Sequence, residues 1–168
     1  MALPNDTDHP SVTAILPARD EERSIAAAIN SLLDQEYDGH LDVVVAVAPS
    51  NDGTLEIAQE IAAASGRVTV IENPSGTTPA GLNAAIAVAT GEVIVRCDAH
   101  AVIPPGYVAA AVRDLEVTGA VNVGGVQAAE GVGTMQRAIA AAMTSPFGVG
   151  DARFHTGGPA GFVDTVYL

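Results

Sequence analysis

The chain has 168 residues, 48% hydrophobic and 16% charged, which suits one folded domain with a real core and excludes a disordered chain. Its formal net charge is −13, and all seven basic residues are arginines. The acid surplus argues against nucleic acid as a partner, since that binding is driven by cationic side chains, and the absence of lysine excludes a lysine Schiff base and a P-loop.

Residues 1–11 are polar, with two prolines, and read as a flexible N-terminus without the cationic and apolar regions of a signal peptide. No run of about 18 apolar residues follows, so no membrane span is expected in this segment and the cytoplasm is the default location. Val12 to Leu16 is a short apolar run that ends at Pro17 and predicts a buried strand. Ile25, Ile29, Leu32 and Leu33 then recur at helical spacing, predicting a helix from near Asp20 to about Tyr37–Gly39. Leu41 to Val47 is a continuous run rich in β-branched residues, as in a parallel strand covered on both faces. A loop, Pro49-Ser50-Asn51-Asp52-Gly53, leads into a helix with Leu55, Ala58, Ile61 and Ala62 on one side.

Val68 to Ile71 predicts a third strand, and Thr78 with Pro79 predicts the N-cap and first residue of a helix that Gly91 ends. Val93 to Cys97 is the fourth strand, with Asp98-Ala99-His100 at its carboxyl end. Strand and helix alternate through this stretch, the pattern of a doubly wound α/β fold with a parallel sheet. Further on, the sequence predicts a helix over 106–117, a strand over 120–126 and a helix over 132–143. A Gly- and Pro-rich loop over 144–160 and a strand over 162–168 complete the reading.

In open parallel sheets, ligands bind at the carboxyl ends of the strands, near a switch in strand order. Polar residues collect at those ends: Arg19, Asp20 and Glu21 after the first strand, Asn51 and Asp52 after the second, Asp98 and His100 after the fourth. A carboxylate oxygen and an imidazole nitrogen suit Mn²⁺, and Mg²⁺ accepts the carboxylate, so a divalent ion here could bridge a diphosphate. Each cluster has a plainer reading. Asp98 could close an Asx-turn beside a surface histidine, Asp52 could cap a helix, and Arg19 with Glu21 could be a surface ion pair. Arg96 could reach a phosphate or pair with Asp20 or Glu21.

Other motifs are set aside. Gly131-Val132-Gly133 lacks the third glycine of a dinucleotide fingerprint and lies late in the chain. The single Cys97 gives neither an internal disulfide nor a metal cluster and reads as a small buried hydrophobe. His9, His40 and His155 lack ligand spacing, and Ser145 has no nucleophile elbow around it.

Taken in order, these motifs resemble the family 2 glycosyltransferases of GT-A type. Ile15-Leu16-Pro17-Ala18-Arg19-Asp20-Glu21-Glu22 is similar to the family's opening motif, and Ser50-Asn51-Asp52-Gly53-Thr54 to the end of its nucleotide loop. Gly81-Leu82-Asn83 through Gly91-Glu92-Val93-Ile94-Val95 resembles the stretch before the metal motif, with Asp98-Ala99-His100 standing where the family has Asp-x-Asp. The histidine variant, Ser145–Gly150 and Val163–Leu168 look most like the ExoA-like, succinoglycan-biosynthesis branch.

The resemblance implies a Rossmann-like, mostly parallel sheet with helices on both faces, C-terminally incomplete. It implies residues 12–103 as the nucleotide-sugar-binding half and 104–168 as the truncated start of an acceptor-side half. Sugar would pass with inversion from a nucleoside-diphosphate donor to a glycan or lipid-linked acceptor, assisted by Mn²⁺ or Mg²⁺. Pro17, Ala18, Arg19, Glu21 and Asp52 would line the donor pocket with Asn83 and Arg96, while Asp98 and His100 would hold the metal and diphosphate. Two departures stand out. Val47-Ala48-Pro49 replaces an acidic pair in the nucleotide loop, and the catalytic base is expected beyond Leu168, with Asp164 only a weak substitute.

A different class, a sugar-nucleotide-binding fragment without turnover, fits the same motifs. A nucleotidyltransferase is disfavoured by the missing lysine and Gly-rich first loop. An incomplete sheet would expose an edge, which leaves a homo-oligomer open.

Overall fold

The computed structural model describes residues 9–126, 128, 133–143, 145 and 158–163. In chain order the elements are β1 (Val12–Ala18), α1 (Ile25–Leu33), β2 (Leu41–Val47), α2 (Thr54–Ala64), β3 (Val68–Glu72), α3 (Thr78–Val88), β4 (Val93–Arg96), α4 (Tyr107–Thr118) and α5 (Thr134–Met143). The four strands form one sheet in the order β3-β2-β1-β4, and every pairing is parallel. The chain therefore winds outward from β1 through β2 to β3, then returns to the other side of β1. That reversal lies between β1 and β4, where loops diverge and leave a crevice.

Alternation along the strands divides the core between the two faces of the sheet. Val12, Ala14, Leu16 and Ala18 of β1 pack with Val43, Val45 and Val47 of β2 against Ile25, Ala28, Ile29 and Leu32 of α1. Those α1 residues stand at i, i+3, i+4 and i+7, the single stripe a helix lays on a sheet. Ala58 of α2 and Val108 and Val112 of α4 join this larger cluster. The opposite face is thinner: Ile15, Val44, Ala46 and Ala85 form its buried centre, with Leu82 of α3 and Ile71 packed on it. Each fully buried Leu, Ile or Val contributes about 1.5–3 kcal/mol, so the α1 face carries most of the hydrophobic stabilisation.

Pro17 lies inside a central strand, a position that ordinarily rejects proline. The register explains it. The last β4 pair is Ile15 with Arg96, and Cys97 N–H donates to the Ile15 carbonyl. Pro17, two residues further, faces the same side, where the β4 ladder has already ended, so no partner misses its N–H. Gly91 is held close to β1: a Cβ there would lie 2.4 Å from the Thr13 nitrogen. Its N–H donates to Thr13 Oγ1 at 2.9 Å, and that hydroxyl donates to Asp42 Oδ1 at 2.8 Å.

Several boundaries differ from the sequence reading. α1 starts at Ile25, not near Asp20, because Asp20 has φ 53° and breaks the helical path. It ends at Leu33, and Gln35 beyond it reaches across the fold. Gln35 Nε2 donates to the Ser31 and Pro104 carbonyls, and its Oε1 accepts from Val108 N–H. The cap of α3 is Thr77, one residue earlier than expected, and Ala89 closes its other end.

Residues 120–126 form no strand, since an apolar run needs a partner ladder and Val121 is fully exposed. Phe162 and Val163 are likewise non-strand, while 164–168 lie outside the described residues, as do 144, 146–157 and 1–8. Of the start expected to be flexible, His9 rests on the Tyr37 ring, and Ser11 bonds Glu92. The chain divides into two packed units, one to Val112 and one from Arg113. No helix among the described residues is long and apolar enough to cross a membrane.

Candidate functional site

The loops after β1 and β2 are locked together by reciprocal bonds. Asp20 N–H donates to Ser50 Oγ at 3.1 Å, and Asn51 N–H donates to Asp20 Oδ1 at 2.7 Å. Glu22 N–H donates to Asp52 Oδ2 at 3.1 Å, and Gly53 N–H donates to Glu22 Oε2 at 3.1 Å. Buried Thr54 sits beneath this clasp. Its Oγ1 accepts from Glu21 N–H at 2.8 Å and donates to Asp52 Oδ1, which also takes the Thr54 N–H. Asp20 tolerates its left-handed backbone because both its N–H and its carboxylate are bonded there.

The hydroxyl of Thr54 is the main reason the Asp52 carboxyl is held below its usual value of 3.8, backed by the Glu22 and Thr54 amides and opposed by desolvation. Asp52 is not the helix cap its plainer reading expected, since Gly53 holds that position; its carboxylate accepts from Thr54 just inside α2.

The loop after β4 meets the first loop across the crevice. Glu21 Oε1 is 3.0 Å from His100 Nδ1, and Glu21 Oε2 accepts from Ser24 Oγ at 2.6 Å. Arg96 does not pair with Asp20 or Glu21; its Nε and Nη2 both donate to Asp98 Oδ1, at 3.2 and 3.0 Å. Nor do Arg19 and Glu21 pair, since the Arg19 guanidinium lies 3.6 Å from Asp20. Between Arg96 and Asp98, Cys97 turns inward. Burial, then the neighbouring Asp98 charge, pushes its thiol up to about 12, so it is an inert core group.

Between these loops lies a cleft of about 320 Å³ lined by Pro17, Ala18, Arg19, Glu21, Arg96, Asp98 and His100, together with Ala48, Asn73, Gly76, Thr77, Thr78 and Ala99. The seven expected residues from Pro17 to His100 are thus brought to one hollow, whereas Asp52 lies in the clasp behind it and exposed Asn83 is not among its walls. Asp164 lies outside the described residues. Sequence reading missed the third wall, the loop after β3. There buried Asn73 donates from N–H to the Val47 carbonyl and from Nδ2 to the Thr77 carbonyl at 2.9 Å. Gly76 turns the chain with φ 70°. The Asn73-Pro74-Ser75-Gly76 turn at a strand end was the available signal.

Charge in the cleft departs from that of the whole protein. Two of the seven arginines, Arg19 and Arg96, stand in it against Glu21 and Asp98. The amino end of α3, at Thr77 and Thr78, adds the positive end of a helix dipole. In a chain of net charge −13, this hollow is thus locally balanced in charge. No three His, Cys, Asp or Glu side chains gather into a metal-holding group among the described residues. Asp98 and His100 supply one oxygen and one nitrogen to the cleft, a donor set that fits a divalent ion completed by phosphate oxygens and water.

Comparison with known proteins adds the lineage. The family model described as Glycosyl transferase family 2 matches residues 13–162. The chain is 34% identical over 145 residues to the succinoglycan biosynthesis protein ExoA of Rhizobium meliloti (strain 1021), covering 85% of this chain and 44% of that protein. It is 36% identical over 91 residues to the putative glycosyltransferase EpsE of Bacillus subtilis (strain 168), covering 53% of this chain and 32% of that one. The chain thus spans less than half the length of these curated relatives. Among solved structures, the mannosyltransferase PcManGT of Pyrobaculum calidifontis, in complex with GDP-Man and Mn²⁺, matches with TM-score 0.60 and 32% identity, over 74% of this chain and 37% of that one. TarS 1-349 of S. aureus shares the fold, with TM-score 0.63 at 22% identity over 74% of this chain and 38% of that one. With an all-parallel α/β sheet, a cleft at its switch point and a family match over nearly its whole length, the chain belongs to glycosyl transferase family 2.

Proposed function

We propose that this chain forms the donor side of a glycosyltransferase that moves a sugar from a nucleoside-diphosphate donor to a glycan or lipid-linked acceptor with inversion. The observation that carries the reading is the convergence of Glu21, Arg96, Asp98 and His100 on one cleft at the strand-order switch. In this reading Pro17, Ala18 and Ala48 give the nucleoside an apolar floor, while Arg19 and the amino end of α3 face the diphosphate. Asp98 and His100 would hold a divalent ion, Mn²⁺ or Mg²⁺, which when bound supplies Lewis-acid stabilisation of the departing diphosphate. The Mn²⁺ and GDP-Man in the mannosyltransferase complex support that assignment.

The acceptor hydroxyl must lose a proton as it attacks the anomeric carbon opposite the diphosphate. The cleft's two carboxylates are both engaged, Asp98 by Arg96 and Glu21 by His100 and Ser24. In this reading both serve the donor side and neither is assigned as the general base; donor binding without turnover is the alternative function of this chain. Equilibrium dialysis with UDP and GDP tests the reading: binding should require Mn²⁺ and vanish on chelation. Nucleotide uptake indifferent to chelation would contradict the metal assignment, and multiple-turnover transfer to a lipid-linked acceptor would show that the base is present.

A further inference from the structure

His100 is two-thirds exposed on its loop, while Glu21 is largely enclosed, with side-chain exposures of 68% and 25%. Glu21 is also fixed from several sides. Its N–H is held by Thr54 Oγ1, its carbonyl accepts from Ser24 and Ile25 at the start of α1, and its Oε2 takes the Ser24 hydroxyl. The remaining oxygen, Oε1, lies 3.0 Å from His100 Nδ1. An ionised carboxylate has only lone pairs to offer, so the nitrogen facing it must carry the proton. In a neutral imidazole the proton then leaves Nε2 bare. Among the described residues, no hydrogen bond engages Nε2.

We propose that Glu21 is a positioning residue: it fixes His100 as the Nδ1–H tautomer and leaves Nε2 as a ready ligand for a divalent cation in the cleft that His100 and Asp98 both line. The proposal rests on the metal reading above and changes the role of Glu21, which the family resemblance implied as a wall of the donor pocket. Carboxylate partners of this kind set the tautomer and ring orientation of metal-binding histidines, and their loss typically lowers metal affinity about 10–100-fold. A purely structural tie between two loops would have no such effect.

Glu21→Gln separates the two roles. The amide keeps the size and can still bond the ring, either accepting from Nδ1–H or donating to a bare Nδ1, so the tie survives and the tautomer bias does not. The full chain, ¹⁵N-labelled, would be examined by long-range ¹H–¹⁵N correlation of its imidazoles, with His100→Asn giving the assignment. Mn²⁺ alone would then be titrated and its free fraction read by electron paramagnetic resonance. The wild type should show Nδ1–H at His100. Glu21→Gln should admit the Nε2–H form and bind Mn²⁺ about 10–100-fold more weakly with an unchanged urea midpoint. Ser24→Ala, which removes the hydroxyl from Oε2 and from the Glu21 carbonyl but leaves Oε1 on the ring, should give a smaller loss in the same direction and serves if Glu21→Gln folds poorly.

An Nε2–H tautomer in the wild type overturns the proposal. Mn²⁺ binding lost in Asp98→Ala and His100→Asn but intact in Glu21→Gln removes the role of Glu21 alone. Mn²⁺ binding indifferent to Asp98→Ala and His100→Asn removes the metal seat as well.

Discussion

The loops after β2 and β4 leave the same rim of the sheet and carry similar polar residues, yet they use them in opposite ways. In the loop after β2, the Asn51 and Gly53 amides, the Asp52 carboxylate and the Ser50 and Thr54 hydroxyls are bonded to residues 20–22, to each other or to the Ala48 carbonyl. In the loop after β4, each polar side chain is held by one atom only: Asp98 by Oδ1 and His100 by Nδ1. A loop whose side-chain oxygens and amides are so largely committed is framework, because a ligand would have to break bonds to reach them. A loop tied on one side keeps its geometry and, in the proposed reading, leaves Asp98 Oδ2 and His100 Nε2 for an incoming ion.

Substitutions in the two loops should therefore separate binding from stability. The largest effect is expected from Asp98→Ala: Mn²⁺-dependent affinity for UDP or GDP should fall by more than about 100-fold, beyond what a supporting residue costs. Its urea unfolding free energy should change by about 1 kcal/mol or less, because the Arg96–Asp98 pair is partly exposed. Comparable losses in both readouts would erase the distinction between the loops.

Thr54→Val should behave in the reverse way. It leaves the Glu21 N–H without its acceptor and Asp52 without its hydroxyl donor in a buried position, costing about 1–3 kcal/mol in urea titrations. A subtler consequence concerns acid. The Asp52 carboxyl is held below 3.8 in the folded chain, so it contributes its full stabilisation above that pH. That contribution disappears as pH falls through the lowered folded value. The urea midpoint of the wild type should accordingly drop more steeply below pH 3.8 than that of Asp52→Asn.

The smallest effect concerns Cys97, flanked by Arg96 and Asp98 but turned into the core. A thiol-specific reagent at neutral pH should leave it unmodified in the folded chain and label it once the chain is unfolded.

Much of this contrast was visible in the residues. The four strands follow from short apolar runs, and β2 matches its expected span of Leu41 to Val47 because nothing interrupts its β-branched pattern. The rim clusters followed from strand ends, and Pro17 through His100 do meet in one cleft. Who bonds whom was not legible. Arg96 pairs with Asp98, two residues on, and not with Asp20 or Glu21 across the crevice, while Glu21 meets His100 because the parallel register places Arg96 opposite Ile15 and brings the two loops together. The role of Gln35 was hidden for the same reason, since it satisfies backbone groups at Pro104 and Val108 that only the folded chain brings near. The start of α1 was misjudged because propensity takes no account of the clasp that turns Asp20 left-handed.

The most direct test is anomalous diffraction at the manganese edge from crystals of the chain soaked with Mn²⁺ and GDP or UDP. We expect one peak at coordination distance from both Asp98 Oδ2 and His100 Nε2, with diphosphate oxygens completing it. A manganese peak elsewhere, or nucleotide bound with no metal between it and Asp98, would contradict the account.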